Sequence, residues 1–435
     1  MRHILCVTPY YTPFVGGTTT LVEAIARRLT LDHGRATVLT TVARFPADFW
    51  YPRAEPPLPG HEVLSGVVVE RLPIAYPWPA PYTFGLLRRA GHRLHRSSLP
   101  LALQRPLLRR LARWMPPLPD LQPALDRLMP EADVVHAFDS SWDGLFTAAA
   151  HAARRYARPF VATPLMHLGD ARVRAHFQMV HQVDAYRQAD AIVALSRAEA
   201  AGYTRLGVAS ERVHVIPPGI DPPACVHDAE AAAAFRQEHH LVGSVVAFLG
   251  ANTYDKGAFT LALAVAELNR TGAPVMAVFA GPASTELTAF LARQSPAVRT
   301  ALEGRVHILG VVDEATKHRL LAACDMLALP SQVDTFGIVL LEAWSHGKPV
   351  IGAAAGGIPE VIRDGLTGLL VPFGDVDALA GAIRRLVEAP AWAQKLGEAG
   401  RELVLREYTW ERTYRELTRV YAEVSARRSG RAIHE

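Results

Sequence analysis

Cys324-Asp-Met-Leu-Ala-Leu-Pro-Ser331 runs without a break into Gln332-Val-Asp-Thr-Phe-Gly-Ile-Val-Leu-Leu-Glu-Ala-Trp-Ser-His-Gly-Lys-Pro-Val-Ile351, and Gly356-Gly-Ile-Pro359 follows. The order is apolar strand, Gly-bearing turn, helix, second strand, Gly-rich turn. It marks the carboxyl edge of a parallel α/β sheet, where a helix N-terminus offers free backbone N–H groups to an anion. Asp334 and Glu342 stand on either side of Phe336-Gly337. A helix beginning near Phe336 would carry Glu342 about two turns along and leave Asp334 just before the cap. Two carboxylates then frame one helix start.

The same alternation extends in both directions. His3 to Thr8, Ala36 to Val42, Val67 to Pro73, Asp133 to Phe138, Phe160 to Thr163, Asp190 to Ser196 and Arg212 to Ile216 read as strands, separated by stretches with helical spacing such as Leu21, Val22, Ile25, Ala26 and Leu29. Pro217-Pro218-Gly219-Ile220-Asp221 can continue neither kind of element and reads as the start of a linker. Beyond it, Val245 to Leu249, Val275 to Ala280, Val306 to Leu309, Met326 to Leu329 and Leu369 to Val371 repeat the pattern. The expected fold is therefore α/β, with two Rossmann-like doubly wound domains facing across a cleft. The boundaries are 1–222 for an N-terminal domain and 223–405 for a C-terminal domain. A helix over 406–426 is expected to pack back on the first domain, and 427–435 to form a frayed tail.

Length and composition agree with that organisation. At 435 residues the chain exceeds what one core usually holds, and 50% hydrophobic with 20% charged residues excludes a disordered chain. Net charge is +4, arginine supplies nearly all the positive charge, and lysine is scarce. Cys6, Cys225 and Cys324 lie far apart with no C-x-x-C pair, which fits a reducing compartment. No apolar run approaches the roughly 18 residues of a membrane span, so membrane contact would be peripheral. From Leu86 to Trp114, Arg88, Arg89, Arg93, Arg96, Arg105, Arg109, Arg110 and Arg113 alternate with leucines. Such a stretch is either a solvated face or a basic amphipathic surface for an acidic membrane or a phosphorylated acceptor.

Several positions could carry chemistry. Gly16 and Gly17 follow the first strand, either as a tight turn or as a place where a ligand meets the backbone. His167 lies past a strand end, as a ligand or as a hydrogen-bonded structural histidine. The loop from Gly250 to Gly257 contains Asn252, Asp255 and Lys256. Asp375-Val376-Asp377 has the look of a metal motif, but it precedes Leu379, Ala380, Ile383 and Leu386 at helical spacing, so Asp375 reads as an N-cap. No Walker loop, Gly-x-Ser-x-Gly elbow, zinc-spaced Cys/His set or Gly-x-Gly-x-x-Gly fingerprint is present, which removes sequence support for the common hydrolytic, zinc and nicotinamide classes.

Together the Gly16-Gly17 loop, Val215 to Asp221, the Gly250 to Gly257 loop and Pro330 to Pro359 resemble the group-1 family of retaining nucleotide-sugar glycosyltransferases with the GT-B fold. Its signature, an acid, seven positions and a glutamate, falls on Asp334 and Glu342. The resemblance implies that Glu342 binds the ribose hydroxyls and Asp334 the hydroxyls of the transferred sugar. It implies that the backbone amides of Phe336, Gly337 and Ile338, with Lys256, receive the diphosphate, and that Thr335 beside them binds substrate. His167 would contact the donor sugar near the reacting carbon, and Gly16, Gly17, Gly250 and Asn252 would line the donor. The implied reaction is metal-independent hexosyl transfer with retention, needing no cofactor beyond the donor. UDP-sugar is preferred over GDP-mannose on family frequency, and the acceptor is a glycan, a lipid-linked or a small molecule. Nucleic acid is not an expected partner. A cytoplasmic protein, peripheral at the inner face of the membrane, would suit that chemistry.

Two departures from the pattern matter. Ala251 stands where the family has an arginine, and Asp334 is one methylene shorter than the usual glutamate. Losing a charge-assisted contact to phosphate costs about 1.5–3 kcal/mol. The alternatives are a catalytically degenerate binding module for a glycan or partner protein, a nucleotide-sugar epimerase, or a phosphorylase.

Overall fold

The computed structural model describes residues 3–52, 57–76, 82–169, 171–223 and 229–432. The chain divides into two compact units. The first comprises the chain to Met166, Ala171–Ile216 and the segment from Tyr414 onward, and the second comprises His167–Asp170 and Pro217–Thr413. Cys225 lies outside the described residues.

The strands of the first unit are β1 (His3–Val7), β2 (Arg35–Thr41), β3 (His61–Leu64), β4 (Val67–Leu72), β5 (Val134–Phe138), β6 (Phe160–Thr163), β7 (Ala191–Ala194) and β8 (Val213–Val215). They form one sheet in the order β3-β4-β2-β1-β5-β6-β7-β8. Every pairing is parallel except β3 with β4. The chain winds outward from β1 to one side and then from β5 to the other, so the topology switches between these two strands. β1 and β5 are buried along their whole length, which explains why every residue but one in each is apolar. The one polar residue of β5, His136, is held at both ring nitrogens, by Tyr421 Oη at 2.7 Å and Thr163 Oγ1 at 2.8 Å. His136 is therefore a structural histidine.

Past β1, the helix α1 (Gly17–Leu31) starts directly after Gly16. Past β4, the arginine-rich stretch forms two helices, α2 (Tyr82–His95) and α3 (Leu101–Ala112). Gln104 Nε2 closes the turn between them by donating to the Ser97 and Leu99 carbonyls.

The second unit contains β9 (Ser244–Leu249), β10 (Val275–Ala280), β11 (Val306–Gly310), β12 (Met326–Leu329), β13 (Val350–Ala353) and β14 (Leu369–Val371). Their order is β11-β10-β9-β12-β13-β14, all parallel. The switch point lies between β9 and β12. Ligands bind open α/β sheets at that place, outside the carboxyl ends of the strands.

Three expectations are corrected. The strand β3 was not expected; it is a short antiparallel edge whose residues are half-buried or exposed, so it lacks the apolar run that marks the other strands. The helix carrying Glu342 begins at Ile338, because Gly337 adopts φ 85°, a left-handed conformation that glycine accepts readily and a helix excludes. The last helix runs from Trp410 to Ala432, through the region expected to fray. Arg427 meets Glu423 one turn back at 3.6 Å, and Arg428 reaches Asp190 at 3.2 Å. Asp375, in contrast, is a cap: its Oδ1 accepts from Ala378 N–H at 2.8 Å and opens the helix Val376–Glu388.

Candidate functional site

In the second unit three loops converge at the switch point: Gly250–Gly257 after β9, Pro330–Gly337 after β12 and Ala354–Gly357 after β13. They interlock backbone against backbone. Gln332 N–H donates to the Asp255 carbonyl at 2.9 Å, and Gly357 N–H to the Asp334 carbonyl at 2.8 Å. A Cβ on Gly257 would stand 2.2 Å from the Pro330 carbonyl oxygen, and one on Gly357 1.8 Å from that of Thr335. No side chain fits either place.

On this frame the two acids are each held by a lysine. Lys256 Nζ lies 3.0 Å from Asp334 Oδ1. Lys317 Nζ lies 2.7 Å from Glu342 Oε1 and 2.8 Å from Glu314 Oε2. The second oxygens, Asp334 Oδ2 and Glu342 Oε2, are buried without a hydrogen-bond partner, and so is Asn252 Oδ1. Asn252 is fully buried, and its amide nitrogen donates to the Gly281 carbonyl and to Ser284 Oγ. Thr19 Oγ1, Gln104 Oε1 and other buried polar atoms are also without a partner, so these three are read by their place at the loops and not by being unpaired alone. Three acceptors in these loops and their adjoining helix suit a ligand rich in hydroxyl groups.

The electrostatics of the two acids differ. Burial alone would raise the Asp334 pKa, but the Lys256 ammonium, the Ser331 hydroxyl and His167 outweigh it and hold the carboxyl below its usual range. For Glu342 burial wins over Lys317, and its pKa is raised. Burial would lower Lys317, but the Glu342 and Glu314 carboxylates reverse the shift and raise it. The surroundings of Asp334 thus favour its charge, whereas for Glu342 burial works against the charge that Lys317 supports.

His167 sits with its Nδ1 against the Val333 carbonyl, in the same unit as Asp334. The helix Ile338–Ser345 directs its first turn at the loop edge, where N–H groups have no intrahelical acceptor. Thr335 and Phe336 are buried just ahead of it, and the Phe336 ring meets Tyr408 edge-on at 5.5 Å. Gly250 donates its N–H to the Ala280 carbonyl at 3.0 Å, and Ala251 follows it in the loop. The structure therefore brings together His167, Gly250, Asn252, Lys256, Asp334, Thr335, Phe336, Gly337, Ile338 and Glu342 within one unit. Gly16 and Gly17 belong to the other unit, at the start of α1.

Lys317 escaped sequence reasoning. It lies on the helix Glu314–Ala323, outside the opening stretch and in no motif. One signal was available: the chain has four lysines, and two of them hold the two acids. In a protein that otherwise uses arginine, a lysine position is informative.

Comparison with known proteins bears on the family and the fold. Residues 233–403 match the model of glycosyl transferases group 1, and residues 15–223 match that of glycosyltransferase family 4. Residues 233–403 thus belong to the group-1 glycosyltransferases and residues 15–223 to glycosyltransferase family 4. Over 249 residues it is 32% identical to a D-inositol 3-phosphate glycosyltransferase of Xylanimonas cellulosilytica, covering 56% of this chain and 59% of that one. Over 259 residues it is 33% identical to an alpha-maltose-1-phosphate synthase of Mycolicibacterium smegmatis, covering 56% of this chain and 65% of that one. The match thus spans about three fifths of each relative's length. Among solved structures, Anabaena HepE in complex with UDP-glucose superposes with a TM-score of 0.71 at 20% identity, covering 97% of this chain and 100% of that one. Sucrose-phosphate synthase from Thermosynechococcus elongatus gives 0.70 at 21% identity, over 98% and 100%. The fold is that of the GT-B glycosyltransferases.

Proposed function

We propose that this chain transfers a hexose-type sugar from a nucleotide diphosphate donor, UDP-linked in preference to GDP-linked, to a glycan, lipid-linked or small-molecule acceptor. The transfer proceeds with retention and without a metal. The observation that carries this reading is the pair of lysine-bound acids, each with one buried oxygen left open toward hydroxyl groups. The HepE structure with UDP-glucose supports the choice of base and donor class.

In this reading Glu342 Oε2 accepts from the ribose hydroxyls, while Lys317 holds the other carboxylate oxygen. Asp334 Oδ2 accepts from the transferred sugar. The N–H groups from Phe336 to Ile338 and the Lys256 ammonium receive the diphosphate. Lys256 carries three N–H donors, enough to hold Asp334 and that diphosphate at once. Charge grows on the departing diphosphate as the anomeric C–O bond breaks, and preorganised donors stabilise it at no cost in reorganisation. The acceptor oxygen then bonds to the anomeric carbon on the face that the diphosphate leaves, and its proton passes to a phosphate oxygen. His167, beside Asp334, contacts the sugar near that carbon.

The test is calorimetry with UDP and GDP, followed by turnover of a panel of nucleotide sugars without acceptor. UDP binding is expected, and Glu342→Ala and Lys256→Ala should weaken it or slow turnover. If both variants leave donor affinity and turnover untouched, the site assignment is wrong. Ala251 favours the second reading, a degenerate binding module, and absence of any nucleotide binding at about millimolar ligand, some −4 kcal/mol, would establish it.

A further inference from the structure

The α2–α3 hairpin of the first unit carries an unusual outer face. Its inner side is a packed core: Phe84, Gly91, Leu108 and Ala112 are buried, and Gly91 lies against Leu108. Three of its arginines also serve the fold, with Arg105 and Arg109 bound to Asp184 and Arg88 near Asp143. The outer side is different. Arg89, Arg93, Arg96, Arg110 and Arg113 are exposed, and among the described residues none has a carboxylate within ion-pair distance. From Tyr82 to Trp114 the sequence has no acid at all.

Large apolar side chains stand among these free cations. Tyr82 is 74% exposed, Leu86 64%, Leu103 54% and Trp114 51%, and Leu99, Leu101 and Leu107 are exposed as well. On α2 and the residue beyond it, Tyr82, Leu86, Arg89, Arg93 and Arg96 follow one another at helical spacing and share a stripe. Between the helices lies an almost wholly apolar groove of about 380 Å³, lined by Leu87, Leu94, Leu107, Leu111 and Trp114 with Arg110 at its rim. Exposed apolar patches of this kind mark interaction sites. A nucleic acid would engage the arginines and leave the leucines in water. A surface that presents phosphates and hydrocarbon side by side engages both.

We propose that the outer face of the α2–α3 hairpin docks on an anionic phospholipid bilayer, with the five free arginines on lipid phosphates and the leucines, Tyr82 and Trp114 at the acyl boundary. Amphipathic helices with arginine on one part and leucine or tryptophan on the other bind in this way, lying in the interface plane. Tyr and Trp favour the headgroup level, where an aromatic ring meets both phases. The docking stands on the first unit alone and goes beyond the donor reading, on which it does not rest. It does favour an acceptor that resides in the membrane.

Vesicle flotation tests it with the full chain, using phosphatidylcholine alone and phosphatidylcholine with about 30 mol % phosphatidylglycerol, a typical anionic surface. The protein is expected to float with the anionic vesicles only, and less as salt rises. Arg89→Gln, Arg93→Gln and Arg96→Gln combined should weaken this about a hundredfold, at roughly fivefold per arginine lost near the surface. Leu103→Ser with Leu107→Ser should weaken it while preserving the salt dependence. Both variants replace exposed residues, and unchanged thermal midpoints and UDP binding confirm that they fold. No flotation with anionic vesicles, equal flotation with neutral ones, or full binding by the arginine variant overturns the proposal. So does a dimer in sedimentation that the leucine variant dissolves, since a second copy of the chain would then own the face. Loss of UDP binding by the unmodified protein would remove the donor reading and leave this one standing.

Discussion

Lys317 Nζ stands 2.7 Å from Glu342 Oε1, with both side chains more than four-fifths buried, and it holds Glu314 at the same time. The relationship is asymmetric. Removing Lys317 leaves Glu342 buried with no cation, whereas removing the Glu342 charge leaves Lys317 with Glu314. Lys317→Met should therefore cost about 3 kcal/mol of stability, as for other buried pairs that lose one member, and Glu342→Gln only about 1 kcal/mol. Urea denaturation midpoints of the two variants check this. Equal losses would show that Lys317 does not carry the carboxylate.

The other pair predicts a pH dependence. Burial opposes the Asp334 charge, yet Lys256, Ser331 and His167 leave its pKa below the ordinary value. An acid with a depressed folded pKa stabilises the protein above its unfolded pKa of about 3.8, and that contribution is lost as pH falls through the folded value. Asp334→Asn should thus lower stability at neutral pH and flatten the decline below about pH 4. Denaturation free energies measured from pH 7 down to pH 3 provide the comparison. A variant curve parallel to that of the parent would refute the coupling.

His136 acts with the opposite charge. Burial between Tyr421 and Thr163 pushes its pKa down to about 3, while an unfolded histidine titrates near 6.5. Below pH 6.5 the unfolded chain binds a proton that the folded chain refuses, so stability falls with falling pH. The loss is at most about 1.4 kcal/mol per pH unit and ends near the folded pKa. Tyr421→Phe should remove about 1 kcal/mol at neutral pH, where the ring is uncharged in both states. Nuclear magnetic resonance titration of the His136 ring reads the pKa directly, and a normal value would contradict the burial argument.

Gly357 and Gly381 make a matched pair of substitutions. Gly357→Ala drives a Cβ into the Thr335 carbonyl, so the loop must move; a loss of about 3 kcal/mol and weakened UDP binding are expected. Gly381 lies within the helix Val376–Glu388 with nothing inside 4 Å of its missing Cβ. Gly381→Ala should stabilise by about 0.5–1 kcal/mol and leave binding alone. Thermal midpoints and calorimetry on both variants separate the two effects.

The sequence made much of this legible because buried parallel strands announce themselves as apolar runs. β1, β5, β9, β10 and β12 are recognisable for that reason, and so is the loop that bears Asp334 and Gly337. The edge strand β3 was hidden, since its residues need only half a core. The start of the helix at Ile338 depended on the left-handed turn at Gly337, which a glycine permits but does not compel. Lys317 stood out only by the scarcity of lysine, and its partner could not be read, for a different reason. It meets Glu342 across 25 residues of chain, and a pairing set by tertiary packing leaves no local spacing to read.

The interlocked loops at the switch point also constrain redesign. Gly257 and Gly357 press on carbonyl oxygens, so these loops behave as one solid piece and tolerate no change in their backbone. An engineer who wishes to alter the preferred donor would leave the glycines alone and vary what projects from them, beginning with exposed Tyr254 beside Phe373 and half-buried Thr253. In this protein, new specificity has to be written in side chains on a rigid last.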